Sequence, residues 1–144
     1  MVNEMFAWIF PAGRLIVKTI SNTAGNVITN LSPGSGKRWL ILRGRLYLTT
    51  DSTTADRRIR LVVTDGTNVV ERLGASDIIA ASSSDYLSFG EVRTKSTDAV
   101  YGDTSYLGIE PILLEGNHQL RIIIDSGQAG DTYNGYVVLL EVDV

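Results

Sequence analysis

Turn-forming residues punctuate this chain at intervals of about eight to fifteen residues, and the stretches between them are rich in Val, Ile, Leu, Thr and Tyr. No stretch repeats its apolar residues at helical spacing, which disfavours helix-based architectures from the outset. Short segments of this kind, separated by Gly, Asn, Asp and Ser, are the pattern of an antiparallel sandwich or barrel. At 144 residues one domain suffices. A chain of this size buries roughly 68–70% of its unfolded surface, enough for a core without staples. The sequence has no cysteine, so packing must hold it, with no disulfide or thiolate metal site.

Arg14 to Ile20 reads as a first strand, Asn22 to Asn26 as a Gly-containing turn and Val27 to Leu31 as the returning strand, a candidate hairpin. After the Pro/Gly loop Ser32 to Gly36, Arg38 to Thr49 alternates. Leu40, Leu42, Gly44, Leu46 and Leu48 are expected to face the core, with Trp39, Ile41, Arg43, Arg45 and Tyr47 opposite, toward solvent or a partner. Arg57 to Thr64 and Asn68 to Leu73 flank Asp65-Gly66, the signature of a tight hairpin turn. Ser76 to Ser84 suits a helical turn or a crossover, Tyr86 to Phe89 a short strand, and Gly90 to Ser105 a long loop. Leu107 to Leu114, Gln119 to Asp125 and Thr132 to Val144 close the chain as strands. The expectation is an all-β protein, a single jelly-roll-like antiparallel β-sandwich of about eight or nine strands. Residues 1–30 form an N-terminal arm and first hairpin in this reading, and 31–144 the sandwich core. An immunoglobulin-like sandwich or an open barrel fits the same pattern.

Charge is balanced in total and uneven in order. The formal net charge of −3 argues against general nucleic-acid binding, which calls for a strongly basic surface. Lys37 to Arg60 nevertheless holds seven basic residues against two acidic ones, and Asp98 to Val144 eight acidic residues against Arg121 alone. Either folding interleaves the two blocks, or they form complementary faces that dock copies or partners and make assembly salt-sensitive. No apolar run is long enough for a transmembrane helix, so no membrane partner is expected. Met1 to Phe10 lacks the basic start of a secretory signal and carries Glu4, and it is expected to stay in the mature protein.

Catalytic chemistry finds little footing. His118 is the only histidine and falls in a Gly-Asn-His turn, so a histidine metal site or a histidine-based triad has one candidate and no company. Asp98 with Asp103 and Asp125 with Asp131 are carboxylate pairs by proximity only, beside glycines where Asp caps turns. A calcium site at Asp125 and Asp131 lacks the ordered Asp-x-Asp-x-Asp-Gly pattern. No enzyme, no cofactor and no metal are the expectations. Binding has better candidates. Met5, Phe6, Trp8, Ile9 and Phe10 form an apolar N-terminal cluster that some surface must cover, whether the sandwich core or a neighbouring subunit. Tyr101, Tyr106, Tyr133 and Tyr136 could stack a sugar or serve as ordinary strand residues.

From Leu31 onward, four blocks resemble single jelly-roll-like proteins of tailed bacteriophages that serve as virion surface or auxiliary capsid proteins. They are Leu31 to Trp39, Ala55 to Val63 with Asp65-Gly66, Pro111 to Ile122, and Asp125 to Glu141. The third is similar to a P-L-x-L-x-x-G-x-x-L-R strand-turn-strand unit. The resemblance implies a non-enzymatic decoration or cement protein, made in the host cytoplasm and carried on the outer capsid surface. It implies self-association, with a trimer favoured, and docking to the major capsid protein. The candidate partner-binding residues are Met5, Phe6, Trp8, Ile9, Phe10, Trp39, Arg43, Arg45 and Tyr47. The alternative is a carbohydrate-binding or receptor-binding β-sandwich of a phage tail or secreted protein, with a glycan as partner.

Overall fold

Two long strands rich in Leu and Val set the frame. β3 (Lys37–Thr49) and β10 (Thr132–Asp143) run antiparallel over almost their whole lengths, from Thr49 opposite Thr132 to Lys37 opposite Asp143. The computed structural model describes residues 13–90 and 104–144, which form ten strands and no helix. Around the central pair, β1 (Arg14–Ala24) lies along β10, and β6 (Ser84–Gly90) and β8 (Ile112–Glu115) share the other side of β3. β7 (Thr104–Gly108) extends β6 to complete a six-stranded sheet. The second sheet has four strands in the order β2 (Thr29–Leu31), β9 (Gln119–Asp125), β4 (Arg58–Thr64) and β5 (Val69–Ala75).

The protein is all-β, two sheets in a sandwich-like arrangement. Their facing sides share one apolar cluster that includes Leu46, Leu48, Leu87, Phe89, Val137 and Leu139 from the larger sheet and Ile59, Leu61, Val63, Leu120, Ile122 and Ile124 from the smaller. Strict alternation in β4 and β9 puts these residues inward, and β9 reads half-buried, buried, half-buried along its length.

Four local expectations change. The first hairpin does not form, because β1 pairs with β10 in one sheet and β2 with β9 in the other. Residues 14–31 thereby contribute to both sheets, with the Gly25 turn carrying the chain across. Asp65-Gly66 is not a two-residue turn but half of a four-residue loop, in which the Asp65 carboxylate accepts the Thr67 and Asn68 amides at 2.9 and 2.7 Å. Leu107 to Leu114 is two strands, since Pro111 has no amide to give a ladder and lies between β7 and β8. One pairing, β6 with β7, is parallel, so the larger sheet is mixed. Ser76 to Ser83 is a crossover between the sheets that buries Ile79.

The consequential departure is in β3. Its pairing with β10 passes from Arg43 opposite Val138 to Ile41 opposite Leu139, leaving Leu42 as the extra residue of a β-bulge. A one-residue insertion exchanges the two faces of a strand beyond it. Gly44, Leu46 and Leu48 therefore face the core as expected, whereas Trp39 and Ile41 replace Leu40 and Leu42 there. The bulge also marks where β3 changes neighbour, from β8 at Arg38 to Ile41 to β6 at Arg43 to Thr49.

Candidate interaction surface

The bulge sends leucines outward. On the outer face of the larger sheet, register aligns Leu15 of β1, Leu140 of β10, Leu40 of β3 and Leu113 of β8 in a row across four strands. Val17, Val138 and Arg43 form the next row, and Thr19, Tyr136, Arg45 and Ser88 the one after. Leu40 and Val142 are buried here, with Leu42 and Leu140 packed against them, a small second cluster on the side away from the core. Around it Leu15 is 65% exposed, Val17 58%, and Leu113 and Tyr136 41% each. Apolar side chains gathered this way on a sheet face are a candidate interface.

Arginine and tyrosine border the leucines. Arg43 is exposed beside Val138, and Arg45 is half-buried, its guanidinium carbon 3.9 Å from the centroid of the Tyr86 ring. Tyr47 lies across from Tyr86, their ring centroids 4.5 Å apart. Tyr and Arg are enriched at contact centres in protein interfaces, and here they border the exposed leucines. Three of the sequence candidates, Arg43, Arg45 and Tyr47, thus share one face. Trp39 does not join them. It is 3% exposed on the inner face, where its indole donates to Glu141 Oε2 at 2.7 Å. Met5, Phe6, Trp8, Ile9 and Phe10 lie outside the described residues.

Several ionised groups are occupied with one another. Arg57 and Asp131, both fully buried, form a two-pronged pair at 3.0 Å, and Arg57 also reaches Asp51 at 2.7 Å and the Thr53 and Ala55 carbonyls. Burial pushes the Asp131 carboxyl up, but the Arg57 guanidinium with the Gln128 and Asp51 amides outweighs it and holds the group below the ordinary carboxylate value. Asp125 is gripped by Arg60 through Nε at 2.9 Å and Nη2 at 2.7 Å. The Asp125 and Asp131 carboxylates are thus each held by a separate arginine, and Asp98 and Asp103 lie outside the described residues. Glu141 accepts from Trp39, Lys37 and Arg14, whose hydrogen bonds overcome burial and lower its carboxyl to about 2. Among the described residues, no three His, Asp or Glu side chains gather as a metal site, and no helix could cross a membrane.

These pairs decide between the two readings of the charge blocks. Lys37, Arg38, Arg57 and Arg60 from the basic block meet Glu141, Glu115, Asp131 and Asp125 from the acidic one. Strand pairing interleaves the blocks and cancels much of their contrast.

No family model, curated protein or solved structure matches the chain. The surface therefore rests on its own geometry. Sequence reading missed Leu15, Val17, Leu113 and Leu140, although the unbroken apolar runs Leu15 to Val17 and Val137 to Leu140 carried a signal: a strand apolar at every position has an apolar outer face as well. The sugar-stacking candidates separate. Tyr106 and Tyr136 are exposed, but Tyr133 is fully buried, its hydroxyl paired with Thr29 and donating to the Val27 carbonyl at 2.9 Å. Tyr101 lies outside the described residues.

Proposed function

We propose that this chain is a non-enzymatic virion structural protein, a decoration or cement protein of the outer phage head that self-associates and docks on the capsid lattice. The observation that carries the assembly part is the row Leu15, Leu140, Leu40 and Leu113 on the outer face of the larger sheet, with its exposed neighbours. Covering such a surface recovers about 25 cal/mol per Å² of apolar area. The four blocks of resemblance to phage capsid auxiliaries supply the setting. In this reading Met5 to Phe10 clasp a sister copy or the capsid, and the chain emerging from them enters β1 where Leu15 and Val17 begin the apolar face. A trimer follows from the resemblance.

Immunogold labelling of particles of the phage that encodes the chain tests the setting. Label over the whole head surface is expected. Label confined to the tail would favour the receptor-binding alternative, and unlabelled particles would contradict both.

A further inference from the structure

The outer face of the smaller sheet has the opposite character. With Ile59, Leu61 and Val63 of β4 turned inward, Arg58 and Arg60 point outward, and register sets Arg121 of β9 and Arg72 of β5 on either side of Val62. Asp125 is the one acidic residue at an outward position on these four strands, and Arg60 already holds it. Arg58 and Arg72 are exposed, and Arg121 is half-buried with its Nε on the neutral Asn30 side chain. The face thus carries four guanidinium groups against one carboxylate, Asp125, which lies opposite Arg58 in register and is gripped by Arg60, in a chain of net charge −3.

We infer that this face docks a carboxylate-rich segment of another protein. Arg60 shows how a carboxylate sits there, gripped by both prongs of the guanidinium fork. The spacing suits an extended acidic chain. Arg58 and Arg60 are two residues apart on one strand, roughly 7 Å, which matches the same-side repeat of an extended peptide, while Arg121 and Arg72 stand two strand spacings apart, roughly 10 Å. A nucleic acid fits less well. The four strands contain no aromatic residue on which bases could stack. The inference is independent of the virion setting and of the apolar face, which lies on the other sheet.

Fluorescence anisotropy with a labelled oligoglutamate peptide as probe tests it, on the full chain at low salt. Saturable binding is expected, weakening steadily as salt is raised. Arg58→Gln with Arg121→Gln should weaken it roughly tenfold, and Arg58→Gln alone, at an exposed position, by a smaller factor. Lys18→Gln removes one positive charge from the other sheet and should leave binding within about twofold. Failure of the peptide to bind, or equal losses in the Arg58 and Lys18 variants, would overturn the inference. So would tighter binding of an oligothymidylate of the same net charge.

Discussion

Glu141 concentrates much of the residue-scale electrostatics. It lies between Arg14 of β1 and Trp39 of β3 in register, so its carboxylate receives donors from both neighbouring strands, and Lys37 adds a third. Lys18 completes the surround, its ammonium 5.3 Å from the Trp39 ring centroid. A carboxyl held at about 2 instead of its ordinary 4.5 stabilises the fold fully above pH 4.5, and that contribution disappears as pH falls toward 2. Glu141→Gln should cost about 1.5–3 kcal/mol at neutral pH, the value of hydrogen bonds to a charged group. Melting temperatures measured between pH 7 and pH 2 should show the variant losing less than the parent across the acid window. Parallel curves would mean that the Glu141 charge contributes nothing.

At the scale of the strand, Gly44 and the Leu42 bulge explain how β3 serves two faces. A Cβ at Gly44 would collide with the Phe89 ring and approach the Tyr136 carbonyl oxygen to 2.8 Å, so the ring occupies space that only glycine leaves open. Gly44→Ala should destabilise by roughly 1–3 kcal/mol through overpacking, read by urea unfolding. Adding Phe89→Leu should recover part of the loss, since the two sites share that space. Full additivity would place the strain elsewhere. These features also mark what was legible beforehand. Strands β4, β9 and β10 followed from runs rich in Val, Ile and Leu between turn-forming residues. The exchange of Trp39 and Ile41 with Leu40 and Leu42 did not. Both sets are apolar, and a bulge is placed by the partner strand, here Val138 and Leu139, far away in sequence. The first hairpin misled for a related reason: Asn22 to Asn26 has the composition of a turn, but the strands it joins find better partners in β10 and β9.

On the scale of the whole molecule the sandwich has two unlike outer faces, one leucine-rich with a border of tyrosine and arginine, the other arginine-rich. The charge blocks, visible in the sequence as a contrast, meet one another in pairs, buried for Arg57 with Asp131 and on the surface for Arg60 with Asp125. Self-association through the leucine face should therefore depend on apolar burial more than on salt. Light scattering coupled to size exclusion, on the full chain and on Val17→Asp at low and high salt, tests this most directly. Val17 is more than half exposed, so the substitution should leave the monomer folded, as circular dichroism would verify. A closed oligomer that persists in high salt and falls to monomer in Val17→Asp is the predicted result. An oligomer of unchanged mass in Val17→Asp, or a parent that is monomeric at every concentration and salt, would contradict assembly through this face.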